Sequence, residues 1–599
     1  MASMLKRSSE CREDAVVHAR KVLEDKISNY ADVIIDLKTQ LNRLSPIARL
    51  PPEILSEVFA LISMHYYEQS WRYQHGPLHV YKWLAVAHVC RAWRSIALDT
   101  PRLWSNIIIT RPEVDEVVLA RSKKAPLRLS AHIYHQDDPR ATILQTIMED
   151  AARLKEVQLT GPARALQVLT SRWTNRADLL EGLSLNSSFR LFEHTTFHSS
   201  PPLSSNIFSH HFPKLRHLTI CRLNVSWANP LFCSTLVTLT VDARHEMSDT
   251  TGEFSHLLNV LDHMRFLEVL SLTDAIPRLP EGVATLPEVE RLVSLPRLKM
   301  LEVHSQAIDC ARFLRHLSLP PNVKFKIVAR TERGSVDFVQ ALRDHLDHTD
   351  HLHTVRLERR SISQLHLRGW RSTIKSRESV FEVLAEADVD VYLDTNAFGR
   401  PLDTLISNSA FLSHVQRLMI EPTSRNWFWR ELFAEASELR ELSLIAEADD
   451  GFLPALSAVL NTTPSDDERT GTISLPHLHT LELYGARFGC PHSDHISQWL
   501  EDLMEWLIAR CHADAPILQL VVRMCLNADT EDIDRLREIV PYVQWDGHVS
   551  FERFSGVLDS DEEAEMDDDY DDELDYLPVD PDYGYDDADL ELWMTPFGW

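Results

Sequence analysis

The chain has 599 residues, 44% of them hydrophobic and 25% charged, which is the composition of a globular protein. This length exceeds one compact core, so we expect several domains or an extended repeat array. The net charge is −28, but the last 43 residues carry 18 acidic side chains and no Lys or Arg, which leaves −10 for the other 556 residues. The body therefore lacks the basic excess of a nucleic-acid binder, and we expect no nucleic-acid partner.

Sequence motifs of the common catalytic, phosphate-binding and metal-binding sites are absent. The chain contains no G-x-G-x-x-G, H-E-x-x-H or G-x-S-x-G string, and its eight cysteines form no C-x-x-C pair. We therefore expect a non-enzymatic protein with no catalytic residue, no metal and no cofactor. The N-terminus lacks an apolar signal core and no run of about eighteen apolar residues exists. We expect no membrane partner and a cytoplasmic or nuclear location, or both.

Residues 12–45 are predicted to form an amphipathic or coiled-coil helix, with its core at Ala15–Leu44. Its apolar positions alternate by four and three residues, and only Arg20 interrupts the series. A spacing of 3.5 residues is typical of a coiled-coil seam. Two interpretations are open: the helix packs on the module that follows it, or the chain self-associates through residues 16–44. The positions are Val16, Arg20, Leu23, Ile27, Tyr30, Ile34, Leu37, Leu41 and Leu44.

Residues 46–110 are predicted to form a small all-α module. Ser45-Pro46 ends the first helix because proline cannot continue the backbone hydrogen-bond ladder. A second helix is predicted from Pro51-Pro52 through Ile62, since proline is well placed in a first helical turn. The polar and aromatic segment His65–Tyr81 is predicted to be a loop, and Trp83–Leu98 is predicted to be a third helix.

A short pattern, apolar-x-x-apolar-x-apolar, recurs along residues 111–555. The alternation in its last three positions predicts a strand with one buried face, and segments with helical spacing, such as 254–264, 427–436 and 496–510, lie between the strands. Two long gaps are predicted to hide degenerate repeats near 323–327 and 389–393. Strand–helix units of this kind predict an irregular leucine-rich repeat solenoid. The ten patterns begin at Leu154, Leu180, Leu215, Leu236, Leu267, Leu298, Leu352, Val415, Leu439 and Leu478.

Two strings near the N-terminus resemble the F-box motif, in the form common in fungal F-box proteins with a preceding helix. The first is L-P-P-E-I-L-S-E-V-F at 50–59, and the second is V-A-H-V-C-R-A-W-R-S-I-A at 86–97, closed by T-P-R-L-W at 100–104. The repeats resemble those that many F-box proteins carry after the box, although the usual Asn or Cys beyond the strand is absent from all ten. The resemblance implies an α+β protein: a helix, an F-box module, an irregular repeat domain and a tail.

The resemblance further implies that the module docks on a Skp-type adaptor and through it on a cullin scaffold, while the repeats bind a protein substrate. One departure is the segment 65–81, which lengthens the spacer between the two strings by about fifteen residues compared with a compact F-box. Two interpretations of this segment are open: it has no effect on adaptor binding, or it alters the affinity for the adaptor. The residues predicted to divide between the module's own packing and the adaptor surface are Leu50, Pro51, Ile54, Leu55, Phe59, Val89, Cys90, Trp93, Leu103 and Trp104.

The target-binding residues are assigned from repeat geometry alone. Arg216, His217, Lys299 and Arg440 lie between the inward leucines and are predicted to present side chains on the inner strand face. Residues 556–599 are predicted to form a disordered acidic tail, which is either solvated or a docking segment through its terminal aromatics. The leading hypothesis is a ubiquitin-ligase substrate receptor. The alternatives are a leucine-rich repeat scaffold outside any ligase, and an enzyme whose site is assembled from distant residues.

Overall fold

The computed structural model divides the chain into two compact units, and each is described here by itself. The first comprises Met1–Thr196 and Leu203–His217, and the second comprises Phe197–Pro202 and Leu218–Trp599. The predicted tail, 556–599, lies outside the described residues. The structure describes residues 2–73, 81–110, 112–135, 138–187, 202–243, 254–280, 285–330, 333–348, 350–361, 364–373, 386–394, 404–407, 410–421, 429–445, 452–457, 474–486, 488 and 498–549.

The N-terminal helices differ from the sequence prediction in length. Helix α1 (Ala2–Arg43) confirms the first helix and extends it toward the N-terminus. Helix α2 (Pro52–Tyr73) continues through much of the predicted loop 65–81, which was therefore wrong up to Tyr73. The helix persists because its eighth and sixteenth residues, Phe59 and Tyr67, are both buried and hold it against the module.

The predicted third helix is also wrong, because it is two helices. A 3₁₀ helix spans Lys82–His88 and α3 spans Arg91–Asp99. Cys90 separates them with an extended backbone (φ −163°, ψ 167°), and its Sγ accepts a hydrogen bond from the Trp93 N–H at 3.5 Å. The thiol thus occupies the N-cap position of α3, where a side-chain acceptor satisfies a backbone donor of the first turn.

The first unit continues as a parallel β–α sheet. Four strands, β1 to β4, pair in chain order, and helices α4 to α6 connect them. Sequence analysis did not predict β1 or β2, which lie before the first recurring pattern. The bounds are β1 Asn106–Ile109, α4 Pro112–Ser122, β2 Leu127–His132, α5 Arg140–Glu149, β3 Leu154–Gly161, α6 Ala163–Ser171 and β4 Gly182–Ser187.

The remaining described strands are β5 to β19, and helices α7 to α13 lie between some of them. All ten recurring patterns and both predicted degenerate repeats contain a strand, and the three predicted helical segments are confirmed as α7, α10 and α12. The bounds are β5 His217–Cys221, β6 Thr238–Asp242, α7 Phe254–His263, β7 Val269–Thr273, β8 Val293–Ser294, β9 Met300–Gln306, α8 Ala307–Arg315, β10 Leu317–Ser318, β11 Lys324–Arg330, α9 Ser335–Leu346, β12 Thr354–Ser361, β13 Gln364–Trp370, β14 Val389–Asp394, β15 Arg417–Glu421, α10 Trp429–Glu435, β16 Glu441–Ile445, α11 Phe452–Ser457, β17 Thr480–Tyr484, α12 Gln498–His512, β18 Gln519–Arg523, α13 Thr530–Ile539 and β19 Tyr542–Trp545.

An antiparallel hairpin interrupts the otherwise parallel sheet of the second unit. Strands β6, β7, β9 and β11 pair in parallel, and β12 and β15 to β19 do the same. Between these two runs, β13 pairs antiparallel with both β12 and β14, and β14 lies beside β11. The spatial order is therefore β11–β14–β13–β12–β15. The predicted repeat at 389–393 is a strand, but it does not follow β12 as a successive repeat would.

Aligned apolar side chains explain why the same pattern recurs in the sequence. In the second unit, Leu270 is in register with Leu301, and Leu301 with Phe325. Beyond the hairpin, Leu442 is in register with Leu481. All five are at most 1% exposed. Each strand contributes one side chain to a continuous buried row, because parallel pairing in register places equivalent positions side by side. The fold is thus mixed α/β with a large parallel-rich sheet.

The opposite face of this sheet carries a buried ionic network around Glu358. The Glu358 carboxylate pairs with Arg356 and Arg368, and with His366 Nδ1 at 3.3 Å. Burial opposes ionisation, but the hydrogen bond with His366 and the charges of both arginines outweigh it and lower the pKa of Glu358 to about 2. His366 Nε2 also lies 2.7 Å from Asp390 Oδ1. Burial opposes the charge of His366 as well, but its hydrogen bonds to Asp390 and Glu358 raise its pKa above the ordinary value.

Replacing His366 with Gln is expected to destabilise the protein more at pH 6 than at pH 9. A raised folded-state pKa means that protonated His366 stabilises the fold fully below its unfolded pKa, and that this contribution disappears as pH rises through the folded pKa. Glu358 stays ionised across this range because its pKa is about 2. Urea unfolding of both proteins at the two pH values measures the difference. An identical loss of stability at both would contradict the charge assignment.

Candidate protein-docking surface

A buried aromatic cluster forms the core of the module at residues 46–110. The Phe59 ring is fully buried, with its centroid 5.0 Å from the Trp93 ring. Trp104 lies edge-on to Trp83 at 5.2 Å, and the Arg121 guanidinium carbon lies 4.5 Å from the centroid of the Trp104 ring. The Trp104 Nε1–H donates to the Ala97 carbonyl at 2.8 Å, so its polar atom is satisfied. Such rings dominate the packing energy of a small module.

Hydrogen bonds join α2 to the segment that leads into β1. The Ser63 hydroxyl donates to the Leu103 carbonyl at 3.1 Å, and the Asn106 side-chain amide donates to the Ser63 Oγ at 3.1 Å. The Tyr81 hydroxyl donates to the Ile108 carbonyl at 2.9 Å, and burial raises the pKa of this hydroxyl. These buried polar contacts fix the rotation of α2 about its axis, because a rotated helix would leave Ser63 and Asn106 unsatisfied.

Burial separates the predicted adaptor-binding set into residues that pack inside the module and residues that stay accessible. Leu55, Phe59, Leu103 and Trp104 are each at most 4% exposed and belong to the module's own core. Their place in the F-box-like strings is therefore a packing requirement.

The outward side of α2 instead presents an apolar stripe, which we call the α2 stripe and define as Leu50, Ile54, Val58 and Leu61. Leu50 lies just before the helix, whose first residue is Pro52, and the spacing of four and three residues places Ile54, Val58 and Leu61 on one side of it. Ile54 is 49% exposed and Leu61 is 68% exposed. Sequence analysis named Leu50 and Ile54 but missed Val58 and Leu61. Continuing the helical spacing from Ile54 by four and seven residues finds both.

The other predicted docking residues lie around the start of α3. Val89 is 58% exposed and immediately precedes the cap residue Cys90. Cys90 and Trp93 are half-buried, the first as the cap and the second against Phe59. Pro51 is exposed at the start of α2. The structure therefore leaves Val89 and Pro51 accessible and assigns Cys90 and Trp93 mainly to internal contacts.

The predicted target-binding residues are all exposed, but they lie at strand starts and not along a strand face. Arg216 immediately precedes β5 and His217 begins it, and the backbone N–H groups of both donate to the Glu181 carbonyl. Lys299 immediately precedes β9, and its Nζ lies 2.6 Å from Glu268 Oε2. Arg440 immediately precedes β16. Their role in target binding stays a prediction.

Among the His, Cys, Asp and Glu side chains of the described part of the chain, no three or more are grouped so that they could hold a metal ion. None of the helices in that part combines the length and apolarity that crossing a membrane requires.

Comparison with known proteins identifies the helical module. Residues 47–110 match the model of the F-box-like family, a range that contains α2, α3 and β1. No curated protein matches the chain. The F-box-like domain supports an F-box protein and suggests a substrate-adaptor role in ubiquitin ligase complexes. F-box proteins are typically non-catalytic adaptors that bind a Skp-type adaptor.

The burial pattern predicts a large loss of stability for a substitution on the buried side of α2 and almost none for one on the exposed side. Truncating Phe59 to Ala is expected to cost about 3–5 kcal/mol of unfolding free energy, because it leaves a cavity in the core. Truncating Leu61 to Ala is expected to change it by about 0.5 kcal/mol or less, because the side chain is already in solvent. Thermal and urea unfolding of the full chain compares them. Equal losses would show that the α2 stripe is part of the core.

Proposed function

We propose that this chain is the substrate-recognition subunit of a Skp-cullin-F-box type ubiquitin ligase, of the kind found in fungi. The observation that carries the proposal is the α2 stripe, which lies inside the segment that matches the F-box-like family. Contiguous exposed apolar side chains on a well-packed module mark a protein–protein interface. A Skp-type adaptor is the partner that the family match favours, and a cullin scaffold would bind through it.

Residues 111–555 are proposed to be an irregular leucine-rich repeat solenoid that holds the target protein. The aligned apolar rows and the parallel pairing support this assignment, while the β12–β14 hairpin makes the array irregular. Catalysis by the chain itself is not required in this proposal. Holding the target near a ubiquitin-charged enzyme raises the effective concentration of the two reactants.

The proposed location is the cytoplasm, the nucleus, or both. Six cysteines in the described residues are free thiols, and two of them, Cys310 and Cys525, are buried. Burial raises the pKa of the Cys525 thiol to about 11, so this thiol stays protonated and unreactive near neutral pH. Free thiols without disulfides suit a reducing compartment.

Charge placed on the α2 stripe is expected to abolish adaptor binding without unfolding the module. A chain with Ile54→Asp and Leu61→Asp should retain a Skp-type adaptor roughly tenfold or more less well than wild type, because an uncompensated carboxylate would be buried at the interface. Co-expression and co-purification measure the retained adaptor. Ile508→Asp is the matched control, since Ile508 is 42% exposed on α12 in the second unit.

Two results would contradict this prediction. Equal adaptor retention by the stripe variant and by the Ile508→Asp control would remove the α2 stripe from the interface. Failure of the wild-type chain to bind any Skp-type adaptor would favour the alternative, a leucine-rich repeat scaffold that acts outside a ligase. Unchanged thermal unfolding of the stripe variant is required for either conclusion, since it shows that the module remains folded.

The target is proposed to contact the strand starts where Arg216, His217, Lys299 and Arg440 are exposed. Reversing one charge, Arg440→Glu, is expected to reduce capture of an acidic target while leaving the amount of bound adaptor unchanged. Quantitative mass spectrometry of proteins that accompany the adaptor complex provides the measurement. Arg537→Glu, an exposed arginine on α13, is the control. The same partner profile in both variants would exclude Arg440 from target recognition.

A further inference from the structure

An apolar stripe along α1 is exposed over its whole length. We call these side chains the α1 seam, and each is between 51% and 77% exposed. One of the two interpretations of this helix was that it packs on the module that follows it. Their exposure removes that interpretation, because a packed stripe would be buried. The seam consists of Val16, Leu23, Ile27, Tyr30, Ile34, Leu37, Leu41 and Leu44.

The order of residue types along the α1 seam specifies the kind of partner. In heptad notation, the a positions after Arg20 hold Ile27, Ile34 and Leu41, and three of the five d positions hold leucine, with Val16 and Tyr30 at the other two. A β-branched residue at a combined with Leu at d favours two parallel strands over three or four. The partner of this seam is therefore one further helix with the same repeat. The same heptad frame places Lys6, Ser9 and Glu13 before Val16, so the apolar seam begins at Val16.

The charges that flank the α1 seam permit a second copy of the same helix. In a parallel pair, each g position faces the e position five residues further along the partner. Here Lys26 at g faces Ala31, and Lys38 at e faces Val33. Each facing pair within the seam contains at least one uncharged residue, so like charges do not oppose the pairing. The third g–e pair is Ala19 at g and Glu24 at e, and it also contains only one charged residue.

One polar residue interrupts the α1 seam and sets its register. Arg20 occupies an a position, and its Nε lies 2.9 Å from Glu24 Oε1 on the same helix. This ion pair offsets the charge that a second Arg20 would otherwise meet. A single polar residue at an a position specifies register at some cost in stability, because any shift places it against an apolar layer.

We infer that α1 forms a parallel, in-register, two-stranded coiled coil with α1 of a second copy of this chain. The helix has 42 residues, and its apolar seam covers four heptads from Val16 to Leu44. The α1 seam and the α2 stripe share no residue, so self-association does not depend on the proposed adaptor docking. The dimer provides two copies of the α2 stripe and of the repeat region in one assembly, which increases avidity for a partner with two sites.

The molar mass of the full chain tests this inference. Light scattering coupled to size-exclusion chromatography should give twice the 68.8 kDa chain mass for wild type at micromolar concentration. Ile34→Glu should weaken the dimer roughly tenfold or more, because it places a charge in an apolar layer. Ile35→Glu is the control: the same residue type is replaced at the adjacent position, which is half-buried and lies outside the seam. It should remain dimeric.

A wild-type chain that stays monomeric up to high concentration would overturn the inference. Equal effects of Ile34→Glu and Ile35→Glu would overturn it too, since they would locate the interface away from the α1 seam. Neither result would bear on adaptor binding, which is measured separately on the α2 stripe. Circular dichroism of each variant shows whether α1 remains helical, so loss of the helix is distinguished from loss of the interface.

Cysteine cross-linking tests the parallel orientation. In a background with Cys11→Ser and Cys511→Ser, the variant Leu41→Cys should form a disulfide with its own copy, because residue 41 meets residue 41 in a parallel in-register pair. A mixture of Leu23→Cys and Leu41→Cys chains should yield homodimeric disulfides. Cross-links formed only between position 23 and position 41 would indicate an antiparallel pair and would contradict the proposed geometry.

Discussion

Burial of the aromatic cluster around Phe59 and Trp104 is the constraint on which the proposed docking surface depends. Packing of Phe59 against Trp93, and the buried hydrogen bonds of Ser63, fix how α2 is rotated about its axis. Once that rotation is fixed, the stripe from Leu50 to Leu61 must point outward. The same F-box-like string thus encodes both a core and an exposed surface, and neighbouring residues such as Ile54 and Leu55 serve opposite roles.

Much of the fold could be predicted from the sequence because its signals are local. Alternating apolar residues predicted the repeat strands, and their parallel register explains why the pattern recurs. The hairpin that inserts β13 and β14 could not be predicted, since its strand order is set by pairing between distant segments. Strands β1 and β2 were missed because no leucine pattern of the recurring type marks them. The second and third helices of the module were misjudged because burial of Tyr67 and the cap at Cys90 arise only in the folded chain.

The candidate docking residues could be predicted only in part, because a sequence motif does not show which of its side chains are buried. The family strings mark Leu55, Phe59, Leu103 and Trp104 as strongly as Leu50 and Ile54, although only the last two reach the surface. A linear motif records which side chains the module needs but not on which side of the backbone each lies. The ionic network around Glu358 was invisible to sequence analysis, because its members come from β12, β13 and β14. Such networks depend on strand order, which periodicity does not encode.

The most direct test of the docking surface is side-chain oxidation footprinting of the full chain, alone and with a Skp-type adaptor. The account predicts that Ile54 and Leu61 are oxidised readily in the free chain and are protected when the adaptor binds. It also predicts that buried Leu55 and Phe59 react slowly in both states. Protection confined to residues of the second unit, with no change along the α2 stripe, would contradict the account.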